Sequence, residues 1–275
     1  MNSLIKKYII FLLIFSSRIY SQEIKFYGEP QAGGIIIGKG ENVKAAWLNN
    51  KKLTVDKKGI FVFGFDRDAK GKFILKVELK NGEISKYEYD IEKRLYEVQK
   101  LTVQKKYVTP PKKELSRIEK EAKIIKDAYS KIGILKSAMF SSGFVYPVDT
   151  IKITGVFGSQ RILNRKLANI HNGVDFAANE GDSIYAISDG IVQLAEENFY
   201  FNGNFVLLNH GQGLSSIYLH LSKVFVKNGD KVKKGEVIGL AGSTGRSTGP
   251  HLHLGVKWYN KRIDPMSLLE IKEIE

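Results

Sequence analysis

The segment 251–258, HLHLGVKW, constrains the fold of this chain more than any other. Apolar residues alternate there with polar residues or glycine, which is the two-residue period of a β-strand. Side chains two apart on a strand share a face, so the imidazoles of His251 and His253 point the same way. The segment therefore predicts a strand that buries an aliphatic face and presents two histidines on the other.

The histidines are confined to one part of the chain. All five lie after residue 170, at His171, His210, His220, His251 and His253. His171 stands four residues before Asp175, and imidazole and carboxylate are both common zinc ligands. A catalytic zinc takes three protein ligands and keeps one position open for water. His171, Asp175 and one histidine of the HLH segment make such a set of three.

Glycine separates short apolar runs throughout residues 141–275. This pattern predicts a mostly antiparallel β domain, because alternation of strands with helices is lacking. Residues 161–170 are predicted to form a loop that leads to His171. The glycine-rich run 239–249 is predicted to form a loop in one wall of a cleft.

Residues 22–100 show short alternating runs and turn signals. Asn81-Gly82 between two such runs is a strong hairpin signal. The pattern predicts a small β-sandwich, immunoglobulin-like in size and strand spacing. It contains no histidine, so we expect a binding or spacer module there.

Residues 101–140 are predicted to form a linker and one amphipathic helix. Apolar residues recur at intervals of three and four from Leu115 to Ile132, and the helix is expected to end near Gly133. The repeat is too short to favour a coiled coil. We expect an arm that packs against one of the domains.

Residues 1–21 have the pattern of a secretory signal peptide. Lys6 and Lys7 precede a short apolar run, and cleavage after Ser21 fits the pattern. An uncleaved membrane anchor is the alternative. No later segment reaches membrane-spanning length. We therefore expect a periplasmic or secreted protein without stable membrane insertion after cleavage.

The chain is strongly basic and lacks cysteine. Its 43 Lys and Arg residues exceed its 29 Asp and Glu residues, which gives a formal net charge of +14. Such an excess suits an anionic partner such as an acidic wall polymer, or a lysine-rich solvated surface. No cluster of arginine and aromatic residues resembles a nucleic-acid motif, so no nucleic-acid partner is predicted. The absence of cysteine excludes disulfides and thiolate sites.

Six segments of the C-terminal part form a recognisable series: HNGVDFAA (171–178), GDSIYA (181–186), DG (189–190), YLHLS (218–222), GDKVKKG (229–235) and GRSTGPHLH (245–253). Through these segments, residues 144–269 closely resemble the lysostaphin/LytM-type zinc metallopeptidases. The resemblance implies that His171, Asp175 and His253 hold Zn2+, with His251 and His220 as the catalytic pair. It also implies hydrolysis of peptide bonds in peptidoglycan cross-links.

The two catalytic candidates have different expected roles. His251 is two residues from a ligand on the same strand face, where it can act as general base. His220 ends another strand, where it can stabilise the tetrahedral intermediate. Which of the two is the base stays open. A turn-capping or supporting role is expected for His210, since three ligands are already assigned.

Three functions remain as hypotheses. The first is an exported zinc endopeptidase that cuts peptidoglycan peptides, with the D-alanine to diaminopimelate cross-link favoured over a glycine bridge or a stem peptide. The second is a non-catalytic LytM-type activator of cell-wall amidases, although such members lack some of these histidines and this chain has them all. The third is a binding module with a purely structural zinc.

Overall fold

The computed structural model describes residues 24–275. The predicted signal peptide lies outside these residues. Among the described residues, none of the helices is both long enough and apolar enough to span a membrane. Strands account for 44% of the structure and helices for 13%, which confirms the predicted mainly β fold.

The chain contains twenty-one strands, three α-helices and one 3-10 helix in its described part. The strands of the N-terminal half are β1 (Lys25–Tyr27), β2 (Ile35–Lys39), β3 (Val43–Leu48), β4 (Lys51–Lys52), β5 (Ile60–Gly64), β6 (Gly71–Leu79), β7 (Ile84–Ile91) and β8 (Val98–Leu101). The helices are α1 (Lys105–Val108), α2 (Lys112–Ser130), the 3-10 helix Met139–Ser142 and α3 (Pro265–Leu269). The strands of the C-terminal half are β9 (Ile153–Gly155), β10 (Gln160–Leu163), β11 (Lys166–Ile170), β12 (Gly173–Ala177), β13 (Ser183–Tyr185), β14 (Gly190–Phe199), β15 (Gly203–Gly211), β16 (Leu214–Leu221), β17 (Lys223–Val224), β18 (Lys231–Val232), β19 (Val237–Leu240), β20 (His251–Trp258) and β21 (Lys261–Ile263).

The N-terminal strands form a sandwich of two sheets. Their orders are β1-β2-β5 and β4-β3-β6-β7, which match the A-B-E and C-F-G strand pairings of immunoglobulin-like sandwiches. β6 and β7 form the hairpin predicted from Asn81-Gly82, where Gly82 has a φ of 88°. Phe61, Phe63 and Phe65 are fully buried between the sheets.

The largest sheet has eight strands and carries the histidines. Its order is β18-β14-β15-β16-β20-β12-β9, and β21 also pairs with β20. Leu252, Leu254 and Val256 of β20 are buried, whereas His251 and His253 on the other face are half-buried. β20 is thus the central strand that the alternation predicts, with a core on one side and a cleft on the other.

The predicted loop at residues 161–170 is wrong, because these residues form the antiparallel β10–β11 hairpin. Asn164 and Arg165 connect the strands with φ values of 48° and 65°. Two positive φ angles are typical of a type I′ turn, for which Asn-Gly is the usual signal. Arg165 in the glycine position concealed that signal.

Strand β8 extends this hairpin into a three-stranded sheet. It pairs in parallel with β10, so β11, β10 and β8 form one small sheet. The side-chain amide of Asn164 bonds both backbone groups of Val103, at 2.9 Å to the nitrogen and 2.8 Å to the oxygen. The linker is therefore held along the C-terminal half of the molecule.

The boundaries of helix α2 lie close to those that the sequence predicts. Ala128 is buried against Leu194, Phe199 and Phe205 of the large sheet. Glu121 also accepts a hydrogen bond from the backbone of Tyr200 at 2.7 Å. The helix thus packs on the domain that carries the histidines.

The sandwich contacts that domain through polar pairs and a shared core. Asp66 accepts hydrogen bonds from the backbone and the guanidinium of Arg262, and Arg94 pairs with Asp264 at 2.8 Å. Buried apolar residues of both parts form one continuous cluster. The N-terminal part therefore packs directly against the domain that carries the histidines.

Candidate active site

Three side chains meet at the floor of a cleft in the large sheet. Oδ1 of Asp175 lies 2.9 Å from Nε2 of His171 and 2.8 Å from Nδ1 of His253. The two imidazole nitrogens are 3.0 Å apart. We refer to the cleft lined by these residues, His220 and His251 as the histidine cleft.

Strand register explains this convergence. Asp175 on β12 lies directly opposite His253 on β20 in the antiparallel ladder, so their side chains project on one face as neighbours. His171 comes two residues before β12, and its Nδ1 lies 2.8 Å from the carbonyl oxygen of Val156. The HNGVD segment therefore consists of the first residues of β12 and the two residues that precede this strand.

The three atoms fit a metal ion. The carbonyl of Val156 only accepts hydrogen bonds, so Nδ1 of His171 carries the proton and Nε2 presents a lone pair. That lone pair, Oδ1 of Asp175 and Nδ1 of His253 face one another within 4.8 Å. Two imidazole nitrogens and a carboxylate oxygen are a donor set that zinc takes with a fourth position open.

His220 and His251 lie beside this group. Their ring centroids are 5.0 Å apart, and Nε2 of His251 lies 3.9 Å from Oδ1 of Asp175. Nδ1 of His220 donates to the carbonyl of Thr244 at 2.8 Å, and Nδ1 of His251 donates to that of Gly249 at 2.8 Å. In each neutral ring the Nε2 atom therefore keeps an unprotonated lone pair.

His220 adopts an unusual backbone conformation. Its φ is 67°, in the left-handed region that residues other than glycine rarely occupy. The pairing of β15 with β16 shifts register nearby, between Asn204 and Val206. Such irregularities redirect side chains and are frequent next to active sites.

Burial and charge set the protonation states of the site. Burial alone would raise the pKa of Asp175, but its contacts with His171 and His253 outweigh burial and hold the pKa well below its ordinary value. Burial lowers the pKa of His253 to about 4. Burial, together with the neighbouring His251 and His253, lowers the pKa of His220 to about 3. Neutral imidazoles beside an ionised carboxylate suit cation binding.

His210 does not join the other four histidines. It is fully buried, and its Nδ1 donates to the carbonyl of Asp189 at 2.7 Å. Its Nε2 bonds the hydroxyl of Ser216 at 2.8 Å. The ring therefore links two strands of the sheet, in line with the supporting role expected for it.

The structure also brings to the histidine cleft residues that the sequence did not indicate as part of the site. Arg161 forms an ion pair with Oδ2 of Asp175 and bonds Gln99 of β8 at 3.1 Å. Leu101 and Val103 of the linker line the histidine cleft. Their sequence carries no signal for this, because it depends on the long-range pairing of β8 with β10.

Comparison with known proteins identifies the family. Residues 169–265 match peptidase family M23. The chain therefore contains a peptidase M23 domain. A crystal structure described as a putative M23 peptidase from Pseudomonas aeruginosa is 28% identical, covers 88% of this chain and 95% of that one, and superposes with a TM-score of 0.62. The likeness thus extends beyond the M23 domain into the N-terminal part.

Curated relatives match the M23 domain. The peptidoglycan DD-endopeptidase ShyA of Vibrio cholerae is 45% identical over 111 residues, which are 39% of this chain and 25% of that protein. The DD-carboxypeptidase/endopeptidase Mpg of Neisseria meningitidis is 35% identical over 124 residues, 45% of this chain and 28% of that protein. The matches therefore span about a quarter of these relatives' length.

Proposed function

We propose that this chain is an exported, zinc-dependent endopeptidase that hydrolyses peptide bonds of peptidoglycan cross-links. One observation carries the proposal. The donor atoms of His171, Asp175 and His253 converge at the floor of a cleft, and the two further histidines beside them keep an unprotonated Nε2. An M23 peptidase needs such a pairing of a metal site with adjacent proton acceptors to activate water.

Zinc is the metal that the donor set favours. His171, Asp175 and His253 would hold it, and when bound it supplies Lewis-acid chemistry that lowers the pKa of water and polarises a carbonyl. The Val156 carbonyl fixes the tautomer and orientation of His171. Arg161 occupies Oδ2 of Asp175 and so directs Oδ1 to the site.

The catalytic pair handles protons. Nε2 of His251 and Nε2 of His220 each keep an unprotonated lone pair, since the Nδ1 protons of both rings go to backbone carbonyls. One ring accepts the proton of the attacking water and delivers it to the leaving amine. The negative charge that develops on the oxyanion raises the proton affinity of the other ring, whose Nε2 can then take up a proton from solvent and stabilise that charge.

The substrate class is proposed from the relatives. ShyA is named a peptidoglycan DD-endopeptidase and Mpg a DD-carboxypeptidase/endopeptidase. A D-alanine to diaminopimelate cross-link is the bond that we assign, and export by the N-terminal 21 residues would bring the enzyme to it. The complete set of histidines favours this activity over the alternative of a non-catalytic amidase activator.

Digestion of purified peptidoglycan tests this proposal. Mass spectrometry of the released fragments would compare the wild-type chain with His251→Ala, whose three proposed ligands remain, and with Arg165→Gln as an exposed control. We expect uncross-linked stem fragments from the wild type and the control but not from His251→Ala. No release by the wild type, with zinc bound, would contradict the proposal as a stand-alone activity.

A further inference from the structure

Arg246 is an arginine of the histidine cleft whose charge is unmatched. It lines the cleft together with the five site residues and is half-buried. Within residues 24–275, its guanidinium has neither a hydrogen bond nor an ion pair, and the charge that acts on its pKa is that of another cation, Arg161. Arg161 differs in this respect, because Asp175 pairs with it.

The position of Arg246 is fixed by its surroundings. Its guanidinium stacks on the ring of Phe201 at 4.8 Å, and its backbone nitrogen bonds the Phe201 carbonyl at 2.9 Å. The preceding Gly245 has a φ of 69°, and a Cβ there would lie 2.3 Å from the backbone nitrogen of Gly203. The loop is therefore packed tightly where it presents this side chain.

Such a guanidinium is costly unless an anion pairs with it. Burial and the charge of Arg161 both lower the pKa of Arg246, so two positive groups line one small cleft without a matching second carboxylate. Arginine binds carboxylates through two parallel hydrogen bonds, and a ring stacked beneath it leaves that edge free. We therefore expect the bound ligand to supply the anionic group that pairs with Arg246.

We infer that Arg246 binds a free carboxylate of the substrate, carried by the residue that supplies the scissile nitrogen. This inference rests on the proposed function. In a D-alanine to diaminopimelate cross-link, the carbon attached to the scissile nitrogen carries a free carboxylate. A terminal D-alanyl-D-alanine bond has the same arrangement, which is the feature common to DD-endopeptidase and DD-carboxypeptidase substrates.

Distance favours this carboxylate over others in the peptide. Arg246 lies in the loop directly before His251, and its neighbour Ser247 lies 3.2 Å from Nδ1 of His251 through its hydroxyl. The bound carboxylate must therefore be close to the bond that is cut. In the pentapeptide stem, the D-glutamate residue that carries another free carboxylate is three residues from the terminal D-alanine, about 10 Å away in an extended chain.

Binding of defined peptides tests the inference without hydrolysis. The probe is L-Ala-γ-D-Glu-meso-diaminopimelate-D-Ala-D-Ala, together with three versions in which one of its three free carboxylates is converted to an amide. Affinities would be measured calorimetrically with the full mature chain, zinc-loaded and carrying His251→Ala. Arg246→Gln, Arg246→Lys and the exposed control Arg165→Gln would be added to this background.

We expect the C-terminal amide to bind about 30-fold more weakly than the acid. This preference should fall to within about threefold in Arg246→Gln, persist in part in Arg246→Lys and remain unchanged in Arg165→Gln. Unfolding midpoints and zinc content would verify that each variant is folded.

Equal affinity for the free acid and the C-terminal amide would overturn the inference. A loss of affinity only when one of the other two carboxylates is amidated would also overturn it, as would the absence of binding by every version. Failure of the wild type to cut peptidoglycan would contradict the proposed function instead, because the binding ratio does not depend on hydrolysis.

Discussion

Arg161 and Asp175 form an ion pair in which Nη2 of the arginine contacts Oδ2 of the carboxylate. The other oxygen, Oδ1, faces His171 and His253. The two oxygens of one carboxylate therefore have separate partners. Gln99 of β8 accepts a hydrogen bond from Arg161, which connects β8 to the proposed metal site.

Removal of this ion pair should weaken metal binding. In Arg161→Gln, Oδ2 of Asp175 loses its charged partner, and the carboxylate is no longer held with Oδ1 toward the histidines. Loss of such a supporting contact commonly reduces metal affinity about 10–100-fold. Competition between the protein and a chromophoric chelator for zinc measures this change. Arg165→Gln removes the same charge from an exposed turn and should leave the affinity unchanged; equal affinities for all three proteins would contradict the role given to Arg161.

Gly155 should be required for the position of Asp175. A Cβ at this residue would lie 2.4 Å from Oδ2 of Asp175, so Gly155→Ala must displace the carboxylate or the strand β9. We expect zinc affinity to fall by at least about tenfold. Gly249→Ala is the matched control for zinc affinity, because a Cβ there meets no atom within 4 Å. Unchanged zinc affinity in Gly155→Ala would contradict this requirement, because strand β9 would then move aside without displacing Asp175.

The sequence indicated most of the residues that lie together in the histidine cleft, and the reasons are local. His251 and His253 share a strand face by simple alternation, and Asp175 follows His171 at a fixed short spacing. The β10–β11 hairpin was missed because Arg165 replaces the glycine that would reveal its turn. The contact between Gln99 and Arg161 joins residues 62 positions apart, and local periodicity contains no information on such pairing. The unpaired state of Arg246 likewise depends on which acids fold near it.

The two hydrogen bonds between the Asn164 side chain and the Val103 backbone should stabilise the linker. Asn164→Gly keeps the positive φ accessible but removes both hydrogen bonds to the Val103 backbone, which should lower the free energy of unfolding by about 1–2 kcal/mol. Urea denaturation measures this loss. Asn198→Gly is the matched control, since Asn198 also has a positive φ of 60° and its side chain makes no hydrogen bond within the described chain. Similar losses of unfolding free energy in both variants would mean that these two hydrogen bonds contribute little.

His210 should make stability fall in mild acid. Burial lowers its pKa from 6.5 to about 4, so the unfolded chain takes up this proton at a higher pH than the folded chain. The stabilisation is complete above pH 6.5 and is lost as the pH falls toward 4, by about 3 kcal/mol in total. Denaturation of metal-free wild type and His210→Gln between pH 7.5 and 4 measures it. The variant should be less stable at pH 7.5 with a shallower pH dependence, and parallel curves would refute the assignment.

Zinc titration of the metal-free chain tests the central claim most directly. Chelator-stripped protein would receive zinc in small steps, while chromatography follows the conversion of a purified D-alanine to diaminopimelate cross-linked muropeptide dimer into monomers. Hydrolysis should rise from nothing, level off at one equivalent of zinc, and be absent at every zinc level in His253→Ala. Hydrolysis by the stripped wild type, or equal hydrolysis by His253→Ala, would contradict a peptidase that works through His171, Asp175 and His253.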